Sequence, residues 1–214
     1  AITGARALPD AVVGVAPHSL RAVAPDELAL LARIAGHNPV HIHIAEQQKE
    51  VADCIAWSGQ RPVEWLLDHA PVSNRWCLVH ATHMTDEEAR AMAASGAVAG
   101  LCPITEANLG DGLFPAEPFL DAGGVYGVGS DSNVRIDATE ELRLLEYGQR
   151  LGLQQRNVLA RDPGMSTGDR LYRSGVSGGA QALGVVAGLR IGAPADVVTL
   201  DPDHPSLAHR PVER

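Results

Sequence analysis

Short apolar runs alternate with longer stretches in which apolar residues recur every three to four positions, and this rhythm repeats along most of the chain. The short runs, bounded by turn residues, predict strands, and the longer period predicts helices. A first run at 11–16 is followed by a predicted helix over 25–35, with Pro25 in its first turn, Asp26 and Glu27 at its positive end and Gly36 just past its stop. A second run, at 40–45, leads into predicted helices over 49–57, closed by Gly59, and over 63–69. The third run, 76–80, precedes Thr85-Asp86-Glu87-Glu88. In that capping box the threonine and the glutamate three residues on satisfy each other's free backbone donors, so a helix is predicted from there to Ser95, ending at Gly96. A fourth run at 97–101 is followed by a loop and a short helix around Phe119. The fifth, at 125–129, feeds an amphipathic helix over 139–151 with Leu142, Leu145 and Tyr147 among its apolar positions.

Five such units in succession demand a parallel sheet with right-handed crossovers, either doubly wound or closed into a barrel. His18, Glu46, His80 and Asp131 all fall at or just beyond the C-terminal ends of predicted strands. That is where a (β/α)8 barrel gathers its chemistry around one axis. A doubly wound sheet concentrates its site at one switch point, usually with a glycine-rich phosphate loop, and the first strand-to-helix turn here has no GxGxxG. The predicted fold class is therefore α/β, a (β/α)8 TIM barrel. Eight strands are needed and five are legible, so the expectation is the C-terminal part of a larger barrel, about strands 4–8. In such a sheet Leu78, Val79, Val98, Leu101, Val125 and Val128 are expected to be buried in parallel strands.

Composition narrows the setting. With 214 residues, 45% of them hydrophobic and 20% charged, the chain has enough material for a core and is not of disordered composition. The net charge is −9, and the 17 basic residues, with Lys49 as the sole lysine, are scattered. No cationic patch for nucleic acid or anionic lipid follows, so neither is an expected partner. No apolar run approaches the ~18 residues of a spanning helix, and no secretory leader is legible, which makes the cytoplasm the expected compartment. Cys54, Cys77 and Cys102 lack CxxC spacing and read as reduced, buried small hydrophobes. Nine histidines against eight aromatic residues point toward metal or proton chemistry.

The segment "HIHIAE" places His41 and His43 on one face of a strand and Glu46 in the loop beyond it. Inward-facing barrel histidines can simply be hydrogen-bonded core residues, but here others converge: "LVHATH" ends the next strand with His80, and "GVGSDS" ends the fifth with Asp131. Imidazoles with carboxylates suit Zn2+ or another borderline divalent ion. His18 and Arg21 in "PHSLR" read either as a turn residue and a solvated charge or as a carboxylate clamp, for which a planar guanidinium offers a bidentate fork. His41, one layer deeper, is assigned to packing, and His37, His69, His83, His204 and His209 to the surface.

"HIAE", "LVHATH" and "GVGSDS" resemble strands five, six and eight of the amidohydrolase superfamily, in its branch of mononuclear-metal aminohydrolases. Within that branch "APHSLRAV", "HIHIAEQQKEV", "WSGQRPVEWL", "TEANLGDGLFPA" and "EELRLLEYGQRL" resemble the iminohydrolases that act on N-formimino-L-glutamate, from about Val12 to Leu200. The resemblance implies one Zn2+ per active site, with His43 and Asp131 as ligands and Asp131 also able to take a proton. Glu46 is implied as the proton shuttle, and His80 as the group that orients or deprotonates the attacking water. His18 and Arg21 are implied to hold the carboxylates of a small dicarboxylate substrate. The implied reaction is hydrolytic deimination to N-formyl-L-glutamate and ammonia, by a homodimer when full length. Other aminohydrolases of the branch, acting on guanine or triazines, are the competing expectation. The other two metal ligands of the superfamily form an HxH on strand one, and nothing before Ala11 supplies one, so these residues alone are expected to be inactive. The segment "RIGAPADVVTLD" resembles the return of the chain to a small β-sandwich, which divides the chain into a partial barrel over 1–183 and a return segment over 184–214.

Overall fold

The computed structural model describes residues 2–160 and 164–208. In chain order its elements are α1 (Ile2–Ala5), α2 (Pro25–Ala35), β1 (Val40–Ile44), α3 (Gln48–Ser58), α4 (Pro62–His69), β2 (Trp76–His80), α5 (Asp86–Ser95), β3 (Val98–Leu101), α6 (Pro103–Leu109), α7 (Ala116–Asp121), β4 (Val125–Val128), α8 (Ala138–Leu153) and α9 (Thr167–Leu183). Local signals act as expected at several ends. Thr85 Oγ1 accepts from the Glu88 amide at 3.2 Å while Glu88 Oε2 accepts from the Thr85 amide at 2.9 Å, and Gly59, Gly96 and Gly110 close α3, α5 and α6 in the left-handed region. The Asp137 carboxylate accepts from the amides of Thr139 and Glu140 and so starts α8.

The strands pair in the order β1-β2-β3-β4, all parallel, with His41 opposite Cys77, Cys77 opposite Val98 and Val98 opposite Val125. Strand order equals chain order, with no reversal, as in a barrel wall and unlike a doubly wound sheet. Four of the five expected strands form among the described residues. The run at 11–16 instead lies beside β1 through two isolated parallel bridges, Val15 to Val40 and Ser19 to His43. Between the bridges this segment advances four residues against three on β1, and Pro17 within it has no amide to donate, so no continuous ladder can form.

Period-two alternation gives the sheet two different faces. Val40, Ile42, Ile44, Trp76, Leu78, Ala99, Leu101 and Tyr126 join the main core with Leu28, Leu66, Met92 and other helix residues. The opposite face carries His41 and His43, Cys77 and Val79, Val98 and Gly100, and its lower part is covered by α9, whose Ala182 packs with Cys77 and Val98. His41 Nε2 donates to the Ala182 carbonyl at 2.7 Å, and Gln181 Nε2 donates to the carbonyls of Asn74 and Gly96, just ahead of β2 and β3, at 2.9 Å each. Helix α9 thus forms a floor under the strands at their N-terminal ends. Leu78, Val98 and Leu101 are buried as expected, whereas Val79, Val125 and Val128 are half-buried, the first two on the face α9 only partly covers. Tyr147 is half exposed, a correction to its expected apolar position, because it falls on the flank away from the buried Leu142, Leu145 and Gln149.

Beyond Gly184 the described residues form turns and extended chain but no strand. A strand requires a paired neighbour, and Val197, Val198 and Leu200 have none and lie exposed. His209 and the rest of the 209–214 stretch lie outside the described residues. No helix among the described residues is long and apolar enough to cross a membrane.

Candidate active site

The C-terminal ends of the strands share a backbone peculiarity: Ala45 after β1, His80 and Ala81 at the end of β2, and Asp131 after β4 have φ of 51°, 67°, 50° and 51°. A left-handed backbone costs a non-glycine residue about 1 kcal/mol or more, and such strain gathers where side chains must be aimed. Here it turns Glu46, His80 and Asp131 toward one another. The two rim loops are also stitched together, the Ala81 amide donating to the Ile44 carbonyl and the His83 amide to the Ala45 carbonyl.

His80 lies at the centre and is 1% exposed. Its Nε2 is 3.7 Å from Glu46 Oε1, and its Nδ1 is 3.0 Å from Glu106 Oε1. The His43 ring stacks on it at 5.5 Å between centroids, and the His18 ring lies 4.9 Å from that of His43. His43 Nδ1 donates to the His18 carbonyl at 2.8 Å, which leaves Nε2 as the free nitrogen. Asp131 carboxylate oxygen, His80 nitrogen and Cys102 sulfur lie within 4.8 Å of one another. Arg21 Nη2 is 4.0 Å from Glu46 Oε2 and 3.9 Å from Glu50 Oε2. All six residues singled out in the sequence, His18, Arg21, His43, Glu46, His80 and Asp131, therefore meet in one cluster.

Burial is the largest single influence on His80 and favours its neutral form, but the carboxylates of Glu106, Glu46 and Asp131 together outweigh it and hold the imidazole above its ordinary range. Burial pushes the Cys102 thiol well above its usual range, with Glu106, Asp131 and Glu141 adding to the effect, so it is no nucleophile here. Burial likewise raises Asp111, whose neighbours include Glu46, and His80 and His83 only partly offset this.

Several members of the cluster were not visible in the sequence. Glu50, buried on α3, accepts from the Glu46 amide at 3.0 Å and fixes the turn that carries Glu46. Glu106 sits on α6, in a stretch expected to be a loop. Its signal was the Pro103 to Gly110 frame, proline at a first helical turn and glycine just past the end. His83 is corrected from a surface residue: its Nε2 is buried beside the Asp111–Gly112 turn, because the loop after β2 folds inward under the tie to Ala45. His37, His69 and His204 are exposed as expected.

For a divalent ion the donor set at this rim is consistent: an imidazole whose free nitrogen is preset by a carbonyl, a carboxylate, and a second imidazole nearby. The sequence profile of the amidohydrolase family matches residues 4–212. This chain belongs to the amidohydrolase family. As an amidohydrolase it is similar to formimidoylglutamate deiminase from Pseudomonas aeruginosa, 57% identical over 199 residues, a match covering 92% of this chain and 44% of that protein. Among solved structures it is similar to an amidohydrolase from Brucella melitensis, with TM-score 0.80 and 63% identity over 82% of this chain and 39% of the other. It is also similar to a zinc-bound adenosine deaminase from Xanthomonas campestris, with TM-score 0.86 and 26% identity over 100% of this chain and 48% of the other. The amidohydrolase chain thus spans less than half the length of these relatives, and its four-stranded sheet is part of the wall of an amidohydrolase barrel.

Proposed function

We propose that this chain carries the proton-transfer and carboxylate-binding side of an iminohydrolase that converts N-formimino-L-glutamate and water to N-formyl-L-glutamate and ammonia. The observation that supports it most is the placement of Arg21, whose guanidinium lies 4.0 Å from Glu46 on the same rim as His80 and Asp131. A cation there lets a substrate carboxylate be gripped beside the group that moves protons. A neutral guanine or triazine has no use for such a clamp, and the likeness to the Pseudomonas aeruginosa deiminase points the same way.

His43, through Nε2, and Asp131 are the residues that would hold a single Zn2+. When bound, that ion supplies Lewis acidity to a water at neutral pH. His80 orients the water and draws its proton, being itself flanked by carboxylates that stabilise the imidazolium. Glu46, 3.7 Å from His80, carries protons to the nitrogen that departs as ammonia. His18 and Arg21 bind the glutamate carboxylates and aim the formimino carbon at this pair.

The test is ammonia release by the intact protein from N-formimino-L-glutamate, guanine and a triazine, with Arg21→Ala alongside. Turnover of the formimino compound alone, with kcat/KM lowered on the order of 10²-fold in the variant, is the expected result for a lost charged contact. Comparable turnover of a neutral ring overturns the substrate class.

A further inference from the structure

His80 has a closer partner than any group assigned to the reaction so far. Glu106 Oε1 lies 3.0 Å from His80 Nδ1, and the same oxygen accepts from the Cys102 amide at 3.2 Å. Both side chains are buried, at 1% exposure for His80 and 9% for Glu106. An ionised carboxylate is costly to bury unless donors meet it, and here the donors are one backbone amide and one imidazole N–H.

The helix that carries Glu106 is pinned on separate sides. From α8, Glu141 Oε2 accepts from the Ile104 amide at 2.9 Å in the first turn of α6. From the loop after β4, Asn133 donates to Thr105 Oγ1 at 3.2 Å and accepts from Asn108 Nδ2 at 3.1 Å. Helix α6 is therefore tied to the end of β2 through Glu106 and to the Asp131 loop through Thr105 and Asn108. A carboxylate held this firmly at Nδ1 dictates which ring nitrogen carries the proton in the neutral imidazole.

We propose that Glu106 is the positioning residue for His80, holding it as the Nδ1–H tautomer so that Nε2, 3.7 Å from Glu46, is the free base facing the reaction. This rests on the reading above, in which His80 draws a proton from water. The opposite tautomer sets the Nδ1 lone pair against the Glu106 carboxylate and turns Nε2 into a donor, unable to accept that proton. A carboxylate that sets a histidine's tautomer and orientation without taking the proton itself is a general device of acid-base sites.

The experiment is long-range 1H–15N correlation on the histidine-15N-labelled chain at alkaline pH, where the ring is neutral, with the His80 signal assigned by its loss in His80→Asn. The expected spectrum has a pyrrole-type Nδ1 with a strongly deshielded proton and a pyridine-type Nε2. In Glu106→Gln the amide oxygen still accepts, so the tautomer is kept while the Nδ1 proton moves upfield as the charge is lost. In Glu106→Ala the ring shifts toward the Nε2–H form that free histidine favours. A wild-type His80 protonated on Nε2, or an Nδ1 proton unmoved in Glu106→Gln, overturns the inference and leaves the substrate assignment standing. Failure of ammonia release with the tautomer as expected does the reverse. The wild-type and Glu106→Gln spectra decide the matter even where Glu106→Ala does not fold.

Discussion

His43 Nδ1 donates to the backbone carbonyl of His18, so the segment that carries Arg21 also sets the orientation of the imidazole on β1. The residues proposed to hold the metal and the substrate are thereby joined through a single 2.8 Å bond. His41, two positions earlier on the same strand face, has its Nε2 committed to Ala182 instead.

That difference separates the two histidines in a zinc titration. The expected outcome for the 214-residue chain is less than one zinc retained after dialysis, since a tight site normally has about four ligands. His43→Ala should weaken binding a further ~10-fold or more, and His41→Gln should leave it within about twofold. Competition against a chromophoric chelator checks this, and equal losses from both variants would mean that the two histidines form the metal pair.

Glu141 supplies a pH dependence of stability. It is buried on α8, and burial, with Glu106, Asp131 and Asp137 as lesser causes, pushes its carboxyl up from 4.5 to about 7, against the Ile104 amide, which pulls it down. The unfolded chain therefore releases this proton first as pH rises, and the native state loses stability between about 4.5 and 7 and no further above. Glu141→Gln, which can still accept from Ile104, is expected to gain on the wild type across that window by up to about 3 kcal/mol. Urea melts with chelator present at pH 4.5 and pH 8 measure the difference; a constant gap between the two proteins would remove Glu141 from the account.

Arg61 is the tie between α4, α5 and the loop after β2. Its Nε donates to Glu88 Oε2 and its Nη2 to the His83 carbonyl, both at 2.6 Å. Arg61→Ala leaves the buried Glu88 short of its cation and is expected to cost about 2–4 kcal/mol. Arg61→Lys should recover less than half, because an ammonium cannot span both acceptors with the same fork. Thermal melts of the two variants are the check.

Gly178 on α9 faces the Tyr126 carbonyl so closely that an added Cβ would collide with it, and a Cβ on Gly127 would come within 2.9 Å of the Gly179 nitrogen. Gly178→Ala should lift α9 off β4 and cost about 1–3 kcal/mol or more, whereas Gly4→Ala, with open space around it, should be near neutral. Chemical denaturation distinguishes the pair.

The same glycines explain what the sequence concealed. Gly175, Gly178 and Gly179 lower helix propensity, so α9 gives little signal, yet its close approach to the Tyr126 carbonyl of β4 requires Gly178. Helix α6 is hidden by its shortness. The sheet was legible because Ile42, Leu78, Ala99 and their neighbours sit in short apolar runs closed by turn signals, and a parallel sheet needs little more. Glu46, His80 and Asp131 were legible by their place at strand ends, and His43 by the alternating face of its strand. Glu50, Glu106 and Asp111 were not, since each reaches the rim from a helix or turn whose direction only tertiary packing sets.

The floor made by α9 has a consequence for how the protein is born. The last of these four strands ends at Val128, but α9 begins only at Thr167, so at the ribosome's pace of ~5–20 residues per second the strands exist for seconds before their cover emerges. During that interval Cys77 and Val98 face water, and His41 waits for a carbonyl 141 residues downstream. The nascent chain is thus most adhesive between the emergence of β4 and that of α9, and it is the docking of Ala182 that ends the exposure of this face.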